Sequence, residues 1–138
     1  MNYLLRIVLN KDIESKVGDL GRINFKKGIY LYVGSAKRNF EARINRHLIK
    51  KKKKFWHIDY LLSLKDVKIK EIWITDKIKE CQIANFLNKE GYSFIQRFGS
   101  SDCKCPSHLF FVNQGINRTQ ILLRNKGFIK YKGVSYPK

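Results

Sequence analysis

Acidic side chains are scarce in this sequence. Eleven Asp and Glu stand against 29 Lys and Arg in 138 residues, which leaves a formal net charge of +18. This balance excludes an acidic protein, and so strong a field destabilises a compact fold by self-repulsion. A natural chain with such a charge usually meets a polyanion that relieves the repulsion. Nucleic acid is therefore the first partner expected.

Long apolar runs and a secretory leader are also missing. No stretch approaches the roughly 20 apolar residues of a membrane-spanning helix, and residues 1–6 lack the basic-then-apolar order of a signal peptide. Three cysteines cannot all pair, and Cys103 and Cys105 are too close in sequence to bridge each other comfortably. We therefore expect a cytoplasmic protein with reduced thiols, with neither a membrane nor a small molecule as its partner.

The apolar content, by contrast, is that of a folded domain. Hydrophobic residues make up 43% of the chain and aromatic residues 13%, which is too apolar for a disordered basic tail. At this length one domain can bury roughly two thirds of the surface that its unfolded chain exposes. We expect a single domain over residues 1–138, with a core over about 1–112 and a C-terminal extension over 113–138.

Hydrophobic periodicity predicts an α+β fold. Leu5, Ile7 and Leu9 recur at every second position, with the polar Arg6 and Asn10 out of phase, and share a face with Tyr3, as in a half-buried strand. Further strands are predicted at 29–33, 67–75 and 109–112, helices at 40–50, from His57 to Leu64, at 76–90 and at 119–125, a hairpin at 128–136, and a pair of short strands or an irregular excursion at 12–25. This order indicates helices packed on a small, mainly antiparallel sheet.

Residues 32–47 combine side chains that suit phosphate chemistry. Tyr32 ends a predicted strand, Gly34 permits a close backbone approach, and the following helix brings Arg43 and His47 to one side at i, i+4. Arginine offers a planar fork for phosphate oxygens, whereas tyrosine and histidine offer groups for proton transfer. Without further context, each of these residues could equally be a core aromatic, a core histidine or a surface arginine.

Residues 32–48 closely resemble the GIY-YIG nuclease superfamily. Tyr32-Val33-Gly34-Ser35-Ala36-Lys37 looks like its second signature strand, and residues 40–47 look like its catalytic helix. Through residues 56–62, 80–81 and 98–108, the wider layout resembles an uncharacterised archaeal and bacterial branch that is sometimes fused to a base-excision glycosylase. The resemblance covers nearly the whole chain to residue 112 and implies a GIY-YIG nuclease-like fold.

The first signature tyrosine has two candidates. Only Leu31 separates the literal string Gly28-Ile29-Tyr30 from the second motif, whereas the family places its two tyrosines on neighbouring strands. The resemblance to the branch aligns the first motif with Asn2-Tyr3-Leu4 and makes residues 4–31 an enlarged hairpin. Tyr3 is therefore preferred, and Tyr30 is the alternative.

Glu80 combines a position on an apolar helix stripe with an acidic side chain. It precedes Ile83, Ala84 and Leu87 by three, four and seven residues, so its carboxylate is predicted to face the core. A buried carboxylate needs a basic partner, such as an arginine, or a metal ion. The resemblance implies that Glu80 is the single carboxylate that holds the nuclease metal.

The function that the resemblance implies is a divalent-metal-dependent endonuclease acting in DNA repair or processing. It would hydrolyse a phosphodiester bond of duplex or branched DNA with Mg²⁺ or Mn²⁺. The implied catalytic residues are Tyr3, Tyr32, Arg43, His47 and His57, and the expected nucleic-acid contacts are Lys37, Arg46, Lys51, Lys52, Lys53 and Lys54. The alternative is a non-catalytic module that binds DNA or structured RNA and retains the nuclease fold.

Cys81, Cys103, Cys105 and His108 form a second constellation. Three thiols and an imidazole satisfy the stoichiometry of a structural zinc site. The C-x-C spacing, however, is tighter than the usual C-x₂-C knuckle, and Cys81 lies far upstream on a helix. The spacing therefore favours core cysteines over zinc.

Overall fold

The computed structural model describes residues 1–113 and 115–134. Over these residues the chain forms β1 (Asn2–Leu9), β2 (Ile13–Lys16), β3 (Arg22–Phe25), β4 (Gly28–Ser35), α1 (Phe40–Leu48), α2 (His57–Leu62), β5 (Val67–Thr75), α3 (Glu80–Lys89), β6 (Ser93–Phe94), β7 (Leu109–Phe111), α4 (Ile116–Asn125) and β8 (Ile129–Lys130). A 3₁₀ turn at Gly18–Leu20 links β2 to β3. No helix in these two ranges is long and apolar enough to cross a membrane.

Six strands form one antiparallel sheet in the order β6-β7-β4-β1-β5-β8, and β2 and β3 form a separate hairpin. The predicted α+β class with a mainly antiparallel sheet is therefore confirmed. Strand β1 lies in the middle, between β4 and β5. Its register places Tyr3 opposite Gly34 and Leu5 opposite Tyr32, so Tyr3 and Tyr32 occupy neighbouring strands.

The sheet carries an apolar core on each face. Tyr3, Leu5 and Ile7 pack into one core with the helices α1 and α2, whereas Leu4 belongs to a second core with α3 and α4. Among the β1 side chains that point away from the first core, Leu4 is buried in the second core, whereas Arg6 forms an ion pair with Glu71 of β5. Consecutive β1 residues are therefore fully buried on both faces of the sheet only over residues 3–5.

Several predicted boundaries are corrected by the structure. Helix α1 ends at Leu48 because Ile49 is already extended, and α3 begins only at Glu80 because Lys79 is extended. Helix α4 begins at Ile116, three residues before the predicted start. The predicted hairpin at 128–136 is wrong in its first half, because Ile129–Lys130 pairs with β5. Residues 135 and 136 of that hairpin lie outside the described residues.

Candidate active site

An open cleft of about 950 Å³ lies at the end of the sheet where β1 begins and β4 ends. It is lined by Asn2, Ser35, Lys37, Arg38, Arg43, Lys79, Glu80 and Cys81. Helix α1 reaches it from one face of the sheet and α3 from the other. Four basic side chains and a single acidic one therefore surround a space that suits a polyanion. The cleft brings together the sequence-predicted Lys37, Arg43 and Glu80.

Arg43 is held at this cleft from two sides. Its Nη1 donates a hydrogen bond of 3.0 Å to the carbonyl oxygen of Ser35, at the end of β4. Its guanidinium also lies 4.5 Å from the ring centre of Trp56, a cation–π distance. These two contacts restrain the guanidinium, so the side chain is oriented before any ligand arrives.

Tyr3 and His47 form a buried pair beneath the cleft. Tyr3 Oη lies 2.7 Å from His47 Nε2, and the two residues are only 1% and 2% exposed. Gly34 makes room for the Tyr3 ring, since a Cβ at this position would lie 2.4 Å from it. Strand β4 therefore passes directly over the tyrosine ring, and no larger residue fits at Gly34.

Burial keeps both members of this pair neutral. It raises the pKa of Tyr3 to about 12, although the adjacent Arg43 guanidinium acts in the opposite direction. Burial, reinforced by the Lys52 ammonium, lowers the pKa of His47 to about 3. Over the described residues, His47 Nδ1 is a buried side-chain atom with no hydrogen-bond partner. A proton added there would lack an acceptor, which agrees with a neutral ring.

Tyr32 joins the pair, whereas Tyr30 does not. The Tyr32 ring is buried edge-on against His47, with 6.2 Å between ring centres, and burial raises its pKa well above the usual value. Tyr30 instead donates a hydrogen bond of 2.8 Å to the Lys26 carbonyl and packs against Phe111. Of the two candidates for the first signature tyrosine, Tyr3 is thus the one beside His47.

His57 lies outside the cleft and braces two loops. Its Nε2 is 2.8 Å from the Asp19 carboxylate, and its Nδ1 accepts a hydrogen bond of 2.9 Å from the backbone N–H of Gly99. Both ring nitrogens are therefore occupied by contacts that hold the chain together. A catalytic role for His57 stays a prediction.

The predicted DNA-contacting residues fall into two groups. Lys37, Lys51, Lys53 and Lys54 are exposed. Arg46 instead forms a two-pronged ion pair with Asp59, at 2.8 Å for each prong. Lys52 Nζ donates hydrogen bonds to the carbonyl oxygens of Arg46 and His47, so it caps the C-terminal end of α1. Arg46 and Lys52 thus have partners within the protein, and their contact with DNA stays a prediction.

Two exposed aromatic residues follow the lysine run directly. Phe55 is 77% exposed and Trp56 is 39% exposed. The guanidinium groups of Arg43 and Arg46 each lie 4.5 Å from the centre of the Trp56 ring. An exposed ring beside basic residues is a platform on which a nucleic-acid base can stack. Neither ring is among the site residues predicted from the sequence, although aromatic residues that directly follow five lysines are a usable signal.

Glu80 opens α3 and faces the cleft with its side chain 32% exposed. Its Oε1 lies 3.1 Å from His108 Nδ1. The carboxylate is thus less buried than its place on the apolar stripe predicted. In the described ranges, the basic group paired with it is this histidine and not an arginine.

The depressed pKa of His47 predicts a loss of stability in acid. The ring stays neutral down to about pH 3 when folded but protonates near 6.5 in the unfolded chain. Between these values the unfolded state binds more protons, so the free energy of unfolding falls as the pH drops. This histidine alone should remove about 2 kcal/mol between about pH 7.5 and about pH 5. Urea denaturation at a series of pH values measures the effect.

The matched comparison uses the buried His47 and the partly buried His57. His47→Gln should flatten the pH dependence, because the glutamine side chain does not titrate. His57→Gln should retain it. Equal pH slopes for His47→Gln and the unmodified protein would show that His47 is not the group that protonates on unfolding.

One comparison with known proteins gave a match. The model of a family described as a domain of unknown function, DUF123, matches residues 2–127. No curated protein and no solved structure matches the chain. Since the matched range spans most of the chain, the protein belongs to the DUF123 family.

Proposed function

We propose that this member of the DUF123 family is a divalent-metal-dependent endonuclease of the GIY-YIG type, which hydrolyses a phosphodiester bond of duplex or branched DNA. The observation that carries the proposal is the convergence of Arg43 and Glu80, from opposite faces of the sheet, on one basic cleft. Tyr3 and Tyr32 lie behind it on neighbouring strands. The resemblance of residues 32–48 supports the same reaction class.

Glu80 has the properties required to hold the nuclease metal. Its carboxylate is partly exposed in the cleft, and oxygen is the ligand atom that Mg²⁺ and Mn²⁺ prefer. One carboxylate, completed by substrate oxygens and water, is an ordinary magnesium arrangement. When bound there, the cation would supply neutralisation of the charge on the leaving 3′ oxygen.

Arg43 is suited to stabilise the charge that develops on the phosphoryl oxygens. The Ser35 carbonyl uses a single N–H donor of its guanidinium, and the Trp56 ring holds the plane of the group. Donors that are fixed before the reaction cost little reorganisation when charge appears in the transition state. Lys37, Arg38 and Lys79 would hold the flanking phosphates at the rim of the cleft.

Tyr3 is suited to orient the attacking water. With a pKa of about 12 it is a neutral phenol at physiological pH, so its oxygen acts through hydrogen bonds and not as a preformed phenolate. His47 fixes the position of that oxygen through the 2.7 Å contact. Hydrolysis in this arrangement would leave 5′-phosphate and 3′-hydroxyl ends.

A nicking assay tests the proposal. Supercoiled plasmid and branched DNA are incubated with Mg²⁺ or Mn²⁺ and the unmodified protein, Glu80→Gln or Glu41→Gln. Glu41 is exposed in the first turn of α1, so its variant matches the change in charge outside the cleft. We expect the unmodified protein and Glu41→Gln to cut and Glu80→Gln to lose cutting. If none of the three cuts either substrate, the catalytic proposal fails.

The second candidate function is a non-catalytic module that binds DNA or structured RNA. The exposed Phe55 ring beside the exposed lysines favours it, since stacking and charge suffice for binding. Affinities for duplex DNA and structured RNA at matched salt separate the two ligands, because an RNA-binding module should prefer A-form helices or loops. A cytoplasmic location, proposed from the cysteine usage, fits either function.

A further inference from the structure

The three cysteines of the chain and His108 converge beside the cleft. Cys81 lies in the first turn of α3, Cys103 and Cys105 lie in the segment between β6 and β7, and His108 immediately precedes β7. One ligand atom from each residue, three sulfurs and a ring nitrogen, lies within 4.8 Å of every other. Residues far apart in sequence thus form a single compact group.

We propose that Cys81, Cys103, Cys105 and His108 bind a structural zinc ion. Three thiolates and one imidazole are an established donor set for tetrahedral zinc. With zinc–sulfur bonds of about 2.3 Å, neighbouring sulfurs in a tetrahedron are about 3.8 Å apart. The four atoms therefore need only a small inward rotation of their side chains. Four protein ligands close the coordination sphere, as in a structural rather than a catalytic site.

The fold brings the four residues together although their spacing in the sequence is not that of a usual zinc motif. The segment 95–108 doubles back on itself, since the Arg97 N–H donates to the Pro106 carbonyl at 2.7 Å and the His108 N–H donates to the Phe98 carbonyl at 2.8 Å. A turn with the Cys103 N–H 3.4 Å from the Ser100 carbonyl lies between these contacts. These contacts place Cys103, Cys105 and His108 near the start of α3, where Cys81 lies.

The surroundings of His108 favour the neutral tautomer that zinc binding requires, with the proton on Nδ1 and a free lone pair on Nε2. Nδ1 lies 3.1 Å from Glu80 Oε1 and 3.2 Å from the Val33 carbonyl oxygen, and both of these neighbours are acceptors. The ring proton therefore belongs on Nδ1, which leaves the lone pair of Nε2 for a metal. Nε2 lies 3.3 Å from Cys103 Sγ, inside the cluster. A carboxylate that orients a ligating histidine in this way is a recurrent feature of zinc sites.

The state of the thiols and of the segment also suits a metal. All three cysteines are free, and each is only partly buried. Segment 95–108 contains no helix or strand, and loops this long inside a compact domain usually have a function of their own. A zinc ion would attach this segment to α3.

The zinc site and the cleft share a connection through His108. Zinc would hold His108, and His108 contacts Glu80, so the ion would help to position the carboxylate at the start of α3. This step rests on the proposed nuclease function, whereas zinc binding itself does not. Glu80→Ala should therefore weaken zinc binding by about 10- to 100-fold, the usual effect of removing a carboxylate behind a ligating histidine. Glu80→Gln retains an acceptor for Nδ1 and should keep its zinc.

Elemental analysis and cobalt substitution test the proposal. The full chain, purified under reducing conditions, should contain roughly one zinc ion per molecule. After exchange with Co²⁺ it should show the visible bands of tetrahedral cobalt and the near-ultraviolet band of thiolate-to-cobalt charge transfer. Cys105→Ser should lose zinc affinity by at least about tenfold. Asp102→Asn, an exposed change in the same segment, should leave it unaltered.

The measurement on the unmodified protein decides the matter even where a cysteine variant fails to fold. Protein that contains no zinc and takes up Co²⁺ without a thiolate band would overturn the proposal, as would a cluster that holds iron. A zinc affinity of Cys105→Ser equal to that of the unmodified protein would also overturn it. A zinc-bound protein that cuts no DNA would leave the zinc site standing and refute the nuclease function alone.

Discussion

Replacing Arg43 with alanine is expected to slow DNA cleavage by about 10²- to 10³-fold and to leave DNA affinity within a few fold. Losing one prepositioned donor typically costs about 3 to 4 kcal/mol in the transition state. The same arginine is a small part of a surface with a net charge of +18, so binding should change little. Single-turnover rates and affinities measured at matched salt separate the two quantities.

Arg118→Ala is the matched control for the loss of one positive charge. Arg118 is exposed on α4, which packs on the face of the sheet opposite α1. Its removal should leave the cleavage rate unchanged. A rate and an affinity that fall in proportion in Arg43→Ala would identify Arg43 as a tether for DNA, with no separate part in the chemistry.

Elements whose signal is local were predicted best. The strand predicted at 67–75 has those bounds in the structure, because its alternation of apolar and polar residues reports burial directly. The start of α3 was predicted too early, because tertiary contacts decide it. The Asn2 side chain bonds the Ile78 carbonyl in the turn that delays the helix. The sequence of residues 76–79 alone does not indicate a contact with Asn2, which is more than 70 residues away.

In the candidate site too, proximities within one helix were predictable from the sequence, whereas contacts between distant segments were not. Arg43 and His47 lie one turn apart on a single helix, so their proximity followed from spacing alone. The choice of Tyr3 over Tyr30 as the neighbour of His47 depends on the pairing of β1 with β4, which brings Tyr3 opposite Gly34. The contact of Glu80 with His108 joins a helix to a distant loop. Sequence reasoning therefore named Glu80 but not its partner.

Replacing Asp59 with alanine is expected to lower the free energy of unfolding by about 3 to 5 kcal/mol. The Asp59 side chain is fully buried, and both of its oxygens lie 2.8 Å from the Arg46 guanidinium. Oδ2 also accepts the backbone N–H groups of Phe55 and Trp56, each at 2.8 Å, at the start of α2. Alanine would leave a partly buried guanidinium and two backbone donors without partners. Urea denaturation at neutral pH measures the change.

Asp66→Ala provides the surface counterpart of this change. Asp66 pairs with Lys11, whose side chain is 65% exposed, and such a pair contributes about 1 kcal/mol or less. An equally small loss in Asp59→Ala would show that the contacts of Asp59 with Arg46 and with the start of α2 contribute little to stability. Asp59→Ala should also affect the cleft, because Arg46 and Arg43 both contact the Trp56 ring. Without Asp59, Arg46 would no longer be held against this ring, and the ring would orient Arg43 less firmly. The fraction of the variant that remains folded should therefore cleave DNA more slowly.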